Sequence, residues 1–301
     1  MDASRNQALL IRAATFIVLA ELFFASMGVA IRQVSYSASN EQVVFFRNVF
    51  GLALLIPWLL RHRSIGLRTA VPHLHLLRAL AGLGAMYCFF YAIIHLPLAD
   101  AMLLKLSSPL FIPIIAALWL GEAVPWQVRI ALGIGFIGVL LVLNPGFDGV
   151  DPVALVALGG GALAAVAKTT VRRLGRSEPP ARTVFYFALV GTLVSTVPLA
   201  WGWQPLEPAD FLWLVVVAAL ATTGQLFLTY GFGLAPAARM GAFGYSSVIF
   251  GAAYGWLLWN EVPTWLSVTG ALLVILAGII AGRSDRLPRR VSAAAQPATG
   301  N

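Results

Sequence analysis

The stretch SSPLFIPIIAALWLGE, residues 107–122, returns in altered form as SSVIFGAAYGWLLWNE, residues 246–261. Both copies begin with a serine pair, carry phenylalanine at the fifth position and end in glutamate. A helix that crosses the hydrocarbon core of a bilayer needs about 20 mainly apolar residues. Each copy is therefore long and apolar enough to form most of one membrane span, and the chain carries that span twice.

The composition agrees with a membrane protein. Of the 301 residues, 59% are hydrophobic and 11% are charged, whereas soluble domains carry roughly a quarter charged residues. The net charge of +8 falls in short clusters between apolar segments and does not form a basic block, which argues against nucleic acid as a partner. Cys88 is the only cysteine, so an intrachain disulfide is excluded.

Apolar runs separated by turn residues and charges predict ten membrane spans. Arginines cluster in the segments that would lie inside if the N-terminus is cytoplasmic, and this predicts that both termini are cytoplasmic in an inner (plasma) membrane protein. The predicted spans are 10–31, 41–60, 72–94, 98–120, 126–144, 152–171, 182–201, 209–233, 237–259 and 264–282.

The repeated stretches fall in the fourth and ninth spans. Five spans separate equivalent points, and because five is odd the second copy crosses the membrane in the opposite direction. Other residues recur at nearly the same spacing: Tyr91 with Tyr230, Pro97 with Pro236, Trp126 with Trp265, and Arg32 with Arg172. The predicted fold is an all-α integral membrane protein with ten transmembrane helices in two inverted five-helix repeats, residues 1–147 and 148–283. A disordered cytoplasmic tail, 284–301, follows.

This pattern resembles the EamA-type members of the drug/metabolite transporter superfamily. The resemblance rests on Pro97 and Pro236 before the fourth and ninth spans, and on Glu122 and Glu261 after them. It implies a ten-helix basket with cytoplasmic termini, a central cavity lined by the fourth and ninth spans, and gradient-driven export. One departure is the segment ELFFASMG, residues 21–28, where such proteins often carry a Trp-Gly pair.

Two charges within predicted spans are the first candidates for substrate binding. Glu21 lies halfway along the first span and Lys105 in the upper part of the fourth. A buried charge in a bilayer is costly and faces a cavity or a partner. Glu21 is a candidate for a coupling proton or a substrate cation, and Lys105 for binding a carboxylate or phosphate or for pairing with Glu21. The alternatives are a structural ion pair for Glu21 and snorkelling to the interface for Lys105.

Further candidates for the substrate site are polar side chains in apolar spans. The alternatives are helix packing for the serines and a structural tie for the arginine. Lys168 and Arg129 are predicted to be interfacial anchors instead. The remaining substrate-binding candidates are Arg47, Tyr91, Ser107, Ser108, Gln225, Tyr230, Tyr245 and Ser246.

Four residues are predicted to have structural or gating roles. Glu122 and Glu261 follow paired helices at opposite membrane faces and are interpreted as capping or gate-tethering groups, with Pro97 and Pro236 preceding the same helices.

Two sequence patterns do not support cofactor or metal binding. GIGFIG, residues 133–138, matches a dinucleotide fingerprint, but no strand precedes it. His73 and His75 lack a companion group of ligands, so we expect no metal and no cofactor.

The sequence leaves three classes of function open. The first is export of small charged or zwitterionic metabolites, amino-acid-like or amino-acid-derived, by alternating access. The second is uptake of a vitamin or nucleoside-type cofactor by the same fold. The third, a membrane-embedded enzyme or a non-transporting partner protein, requires a catalytic constellation that we do not find, so we predict no enzyme. Expected partners are a small-molecule metabolite and membrane lipid, with a coupling proton and a homodimer as open alternatives.

Overall fold

The computed structural model of the protein describes residues 2–61, 66–105, 107–108, 110–111, 114–115, 126–143, 151–175, 177–234, 243–244 and 246–284. These residues form helices and their connections, and this part of the chain contains no strand. Within the described residues, ten helices have defined bounds: α1 (Asp2–Val34), α2 (Asn40–Arg61), α3 (Pro72–His95), α4 (Leu98–Lys105), α5 (Trp126–Leu143), α6 (Pro152–Leu174), α7 (Pro180–Gly202), α8 (Pro208–Leu234), α9 (Ser246–Trp259) and α10 (Trp265–Ser284).

Five of these helices contain segments that are long and apolar enough to cross a membrane: Ile11–Val34, Pro72–His95, Pro152–Val171, Pro180–Gly202 and Pro208–Gly231. The fold is therefore that of an all-helical membrane protein. The fourth and ninth predicted spans are described in part, because α4 ends at Lys105 and α9 begins at Ser246. The predicted repeat boundary near residue 147 and the tail after Ser284 lie outside the described residues.

Proline marks where several helices begin. Pro72, Pro152, Pro180 and Pro208 are each the first residue of a helix, a position where the missing N–H costs nothing and the fixed φ suits the helix. Before α6, the Asp151 side chain also accepts a 2.8 Å hydrogen bond from the Val153 N–H, which caps the helix. The turn signals in the sequence thus correspond to real helix starts.

The helices pack in a pattern that is preserved when the two halves are exchanged. The most extensive contacts join α1 with α8, α3 with α6, α5 with α10 and α2 with α7, and further contacts join α2 with α8, α3 with α7, α1 with α9, α4 with α6, and α4 with α9. Exchanging each helix with its equivalent in the other half (α1 with α6, α2 with α7, and so on to α5 with α10) gives the same set of contacting pairs. The contacts between the two halves therefore follow the same pattern whichever half is taken first.

Contact between α5 and α10 depends on Gly138. A Cβ at this position would lie 2.8 Å from the Gly270 carbonyl oxygen and 3.0 Å from the Leu273 Cβ. Gly133 on the same helix has no atom within 4 Å of such a Cβ. We therefore expect Gly138→Ala to lower the free energy of unfolding by about 1–3 kcal/mol, with Gly133→Ala neutral or stabilising by up to about 1 kcal/mol.

The measurement is the thermal midpoint of the two variants beside the parent protein in one detergent. Equal midpoints for Gly138→Ala and Gly133→Ala would contradict close α5–α10 packing at Gly138. Both glycines belong to GIGFIG. If these glycines serve helix packing, the cost of a methyl group at each should depend on how close the neighbouring helix is.

A buried carboxylate joins two connecting segments at one end of the bundle. Glu178, between α6 and α7, accepts a 2.7 Å hydrogen bond from the Thr69 hydroxyl and a 2.6 Å hydrogen bond from Arg182. Its side chain is 3% exposed. Arg182 also donates to the Gly66 carbonyl at 2.6 Å. The segment before α3 is therefore held against the start of α7 through Glu178.

This arrangement predicts a pH dependence of stability. Burial raises the pKa of Glu178, but the hydrogen bonds from Thr69 and Arg182 outweigh it, so the net pKa lies below its ordinary value of 4.5. A carboxyl with a lowered pKa contributes stability above pH 4.5 that is lost as the pH falls through the folded-state pKa. We expect Glu178→Gln to cost about 1.5–3 kcal/mol near neutral pH.

The check is a set of thermal midpoints from neutral pH down to below pH 4.5, the ordinary value of this carboxyl. The difference between the parent protein and Glu178→Gln should shrink as the pH falls. Glu207→Gln, at an exposed carboxylate, serves as the control and should follow the parent curve. A constant difference across this range would contradict the proposed linkage.

Candidate functional site

Glu21 and Lys105, which are far apart in sequence, form an ion pair inside the bundle. The Lys105 ammonium donates to Glu21 Oε2 at 3.1 Å, and the side chains are 19% and 7% exposed, respectively. Glu21 lies on the buried face of α1, one turn after the buried Ile17. An ion pair in a low-dielectric interior persists only when each charge is compensated, so Glu21 and Lys105 depend on each other.

Aromatic rings surround the Lys105 ammonium. Its Nζ lies 4.6 Å from the centroid of Phe24, one turn after Glu21 on α1, and 5.3 Å from that of Phe89 on α3. Aromatic faces attract ammonium groups, more strongly where water is excluded. The same surroundings suit any organic ammonium ion that replaces Lys105 beside Glu21.

A second lysine, Lys168 on α6, belongs to this site. Its ammonium donates to Ser108 Oγ at 2.6 Å and interacts electrostatically with both Lys105 and Glu21. The sequence had predicted an interfacial anchor, because Lys168 lies near the end of a span. Since α6 packs against α4, the side chain reaches the serine pair instead. We call Glu21, Lys105, Lys168 and Ser108 the central charge cluster.

Ser107 lies beside the cluster in a tight contact with α6. It is fully buried, and its hydroxyl oxygen has no hydrogen-bond partner. A Cβ at Gly161 would lie 2.1 Å from that oxygen, so only glycine at 161 leaves room for it. Ser107 therefore offers an unused hydroxyl next to the Lys168–Ser108 hydrogen bond.

The serine pair of the second repeat is used differently. The Ser246 hydroxyl donates to the Phe243 carbonyl at 2.7 Å, and the Ser247 hydroxyl donates to the Gly244 carbonyl at 2.9 Å. Both bonds tie the start of α9 to the residues that precede it. The two halves thus share the serine pair in sequence but not in hydrogen bonding.

The other predicted site residues have different surroundings. Tyr91 is 36% exposed, with its ring centroid 4.1 Å from that of His95, and Tyr230 is 46% exposed near Phe16. Gln225 is half-buried on α8. Arg47 is buried on α2 and donates to Asn48 Oδ1 at 2.9 Å. Tyr245, Glu122 and Pro236 lie outside the described residues.

Glu261, the predicted gate-tethering residue, joins three helices. One of its oxygens pairs with Arg32 at the end of α1, and the other accepts a 2.9 Å hydrogen bond from the Leu98 N–H at the start of α4. Arg32 also donates to the Leu96 carbonyl at 2.7 Å and lies 4.8 Å from the Trp259 ring centroid. We call these groups the Arg32–Glu261 latch.

The sequence after α9 explains how Glu261 reaches α4. Asn260 has a φ of 55°, a left-handed conformation that asparagine tolerates better than most residues. Its N–H donates to the Trp256 carbonyl at 3.1 Å, and the Glu261 N–H donates to the Gly255 carbonyl at 3.0 Å. The first of these bonds, from the residue with positive φ to the carbonyl four residues earlier, is that of an αL C-cap, which ends a helix. The exposed Pro97 similarly separates α3 from α4 and leaves the Leu96 carbonyl available to Arg32.

Many polar side chains in the described interior form salt bridges or hydrogen bonds. Among the described residues, no three histidine, cysteine or acidic side chains are grouped to hold a metal ion. The His75 Nε2 atom lies 3.6 Å from Glu178 Oε2, and the centroid of its ring lies 4.5 Å from that of Tyr186. A cleft of about 480 Å³ opens at the far end of α1, where Tyr36 and Ser37 face Asp210 and Trp213.

The chain is similar to known transporters over most of its length. The EamA-like transporter family model matches residues 11–144 and 152–282. The pseudopaline exporter CntI of Pseudomonas aeruginosa is 34% identical over 89% of this chain and 95% of the exporter.

Two other relatives carry different substrates in their names. An S-adenosylmethionine uptake transporter of Rickettsia felis is 27% identical over 81% of this chain and 83% of its own length. A riboflavin transporter of Brucella anthropi is 27% identical over 81% of this chain and 88% of its own length. A solved crystal structure aligns with a TM-score of 0.64 and 19% identity, covering 91% of this chain and 98% of that one, which supports the fold alone.

Proposed function

This chain belongs to the EamA-like transporter family, and we propose that it exports small charged or zwitterionic metabolites by alternating access. It is a multi-pass inner-membrane transporter of small molecules rather than an enzyme. The proposed substrates are amino-acid-like or amino-acid-derived. Export, as the direction, is supported by the 34% identity to an exporter.

We propose ten spans in two inverted repeats, residues 1–147 and 148–283, with a cytoplasmic tail after them and both termini in the cytoplasm. The exchange-symmetric packing of the ten helices supports this arrangement, as do the two separate matches to the family model. In transporters with inverted repeats, exchanging the conformations of the two halves opens a central site to one side and then to the other.

The central charge cluster is the observation that carries the proposal. Two ammonium groups, Lys105 and Lys168, face one carboxylate, Glu21. A substrate amine can replace Lys105 beside Glu21 while a substrate carboxylate pairs with the lysines, so the number of ion pairs does not fall on binding. The excess positive charge favours substrates that carry more carboxylates than amines.

Glu21 is also the proposed site of proton coupling. A proton on Glu21 would break the charge balance with Lys105, as a substrate cation does, so the two can compete for one carboxylate. Transport by Glu21→Gln should then lose its dependence on pH. Full activity of this variant with unchanged pH dependence would remove the coupling role and leave Glu21 as a structural ion-pair partner.

Uptake of a nucleoside-type cofactor or a vitamin is the second candidate. The names of two relatives, an S-adenosylmethionine uptake transporter and a riboflavin transporter, favour it. The fold serves both directions equally, because alternating access is reversible and the gradient decides the net flow. The direction of substrate movement separates the two candidates.

The test is untargeted metabolite analysis of medium and cytosol. Cells expressing the intact protein are compared with cells expressing Lys105→Ala, cells expressing Arg12→Ala and cells with empty vector. Arg12 is an exposed cation on α1 outside the cluster, so Arg12→Ala is the matched control. We expect one amine-containing carboxylate enriched in the medium with the intact protein and Arg12→Ala only. Enrichment in the cytosol would favour uptake, and no difference among the cells would contradict both candidates.

A further inference from the structure

Two buried arginines share one aromatic ring in the middle of the bundle. Arg47 on α2 and Arg78 on α3 are each 6% exposed. Their guanidinium carbons lie 5.1 Å and 4.1 Å from the ring centroid of Phe187 on α7. The two cations are close enough to repel each other. Helices α2, α3 and α7 thus bring two like charges to one point in the interior.

The described residues supply no carboxylate for these arginines. Arg47 donates to Asn48 Oδ1 at 2.9 Å, which is a neutral acceptor. Arg78 Nε and Nη1 are buried and have no hydrogen-bond partner. The nearby acid, Glu178, is paired with Arg182 and His75. A buried guanidinium without a counter-charge is strongly unfavourable in an apolar interior.

Two glycines leave room for the side chains around these arginines. A Cβ at Gly82, one turn after Arg78, would lie 2.3 Å from Arg78 Nη1 and 3.0 Å from the Phe187 ring. A Cβ at Gly191 on α7 would lie 2.8 Å from Asn48 Oδ1. Glycine at these positions lets the guanidinium and amide groups keep their places. The site is therefore built into the helix packing.

We propose that Arg47 and Arg78 form a binding site for an oxyanion, a carboxylate or phosphate group carried by a small water-soluble molecule. The planar guanidinium donates in a fork that matches two oxygens of such a group. Arg78 Nε and Nη1 are the free donors, and Arg47 adds a second positive charge. One bound anion compensates both cations. The site is separate from the central charge cluster, since it lies on α2, α3 and α7.

Binding to the purified full-length protein tests this site without reference to transport. Thermal midpoints are followed by tryptophan fluorescence in an uncharged detergent with increasing inorganic phosphate or citrate, and with sodium chloride at the same ionic strength. We expect a saturable rise with phosphate or citrate that chloride does not produce. In Arg78→Gln the apparent dissociation constant should increase about tenfold or more. Arg12→Gln, whose cation faces Phe16 at 5.7 Å on the outside of α1, should respond like the parent.

The thermal midpoint of Arg78→Gln in the absence of oxyanion tells whether Arg78 serves anion binding or only stabilises the fold. Removing an unpaired buried charge should leave Arg78→Gln as stable as the parent or more stable. A lower midpoint for Arg78→Gln, combined with no oxyanion effect on the parent, would overturn the site. An equal oxyanion effect in the parent and Arg78→Gln would also overturn it.

Lipid is the other source of a phosphate group. The titration is therefore repeated in nanodiscs of phosphatidylcholine and of phosphatidylglycerol. A response to phosphate or citrate in phosphatidylcholine supports the soluble ligand. Stabilisation by phosphatidylglycerol alone would assign the group to a lipid headgroup and overturn the soluble ligand. If the intact protein binds the oxyanion but exports no metabolite, the proposed function is contradicted and the oxyanion site is still supported.

Discussion

We expect Glu21→Gln to lower the free energy of unfolding by about 3–5 kcal/mol and to reduce the proposed efflux about tenfold or more. The stability loss follows because Lys105 keeps its charge in a buried position after its counter-charge is removed. Lys168, which interacts with both residues, adds to the uncompensated positive charge. The loss of efflux follows because a neutral amide no longer attracts a substrate ammonium group.

The double variant Glu21→Gln with Lys105→Met separates stability from transport. Removing both charges restores most of the lost stability, since an apolar replacement of a buried ion pair is often neutral or stabilising. Efflux stays low, because neither charged group is available to the substrate. Thermal midpoints and efflux are measured on the same preparations, with Glu207→Gln as the exposed-carboxylate control. Recovery of efflux in the double variant would show that the pair serves structure alone.

The sequence predicted that Glu21 and Lys105 are special but not that they meet. A charge in an apolar helix is visible from the local sequence alone. Contact between residues 21 and 105 depends on how α1 packs near α4, α3 and α6, which no local pattern reports. The 3.1 Å contact supplies this long-range information.

Lys168 and Arg78 show where local reading fails. Lys168 was predicted to be an interfacial anchor because it lies near the end of a span. Its side chain instead points to Ser108, and that contact places it in the central charge cluster. Arg78 was not singled out from the sequence. A signal was present, because Arg78 follows the buried Leu74 by one turn on a face that also carries the buried Ala81. Its neighbour Phe187 comes from the other half of the chain.

The sequence predicted a repeat because related stretches, 107–122 and 246–261, occur in it. Helix starts, turns and pairs such as Pro97 with Pro236 depend on local residue types. The Arg32–Glu261 latch has a predicted counterpart in Arg172 and Glu122, which recur at equivalent positions. Glu122 and the Arg172 side chain lie outside the described part of the chain, so that counterpart stays a prediction.

Glu261→Gln should open the bundle at the Arg32 end. Glu261 accepts from Arg32 and from the Leu98 N–H at 2.9 Å, and thereby holds α1, α4 and the end of α9 together. A neutral amide loses the charge-assisted bond to Arg32, worth about 1.5–3 kcal/mol. Since 1.4 kcal/mol is a factor of about ten in an equilibrium, the open population should increase about tenfold or more.

The measurement uses a single cysteine at position 26 in a Cys88→Ser background. Ser26 is half-buried between α1 and α9, with its hydroxyl 2.9 Å from that of Tyr254. Ser26→Cys should therefore react with a water-soluble maleimide mainly when the two helices separate, and Glu261→Gln should speed this reaction about tenfold or more. Arg32→Lys keeps the charge but cannot reach Glu261 and the Leu96 carbonyl together, so its rate should lie between those of the parent and Glu261→Gln. Unchanged labelling in folded Glu261→Gln would mean that the latch does not control access. The predicted cytoplasmic placement of both termini puts the Arg32 end on the outer face. A membrane-impermeant maleimide should therefore label this cysteine in intact cells.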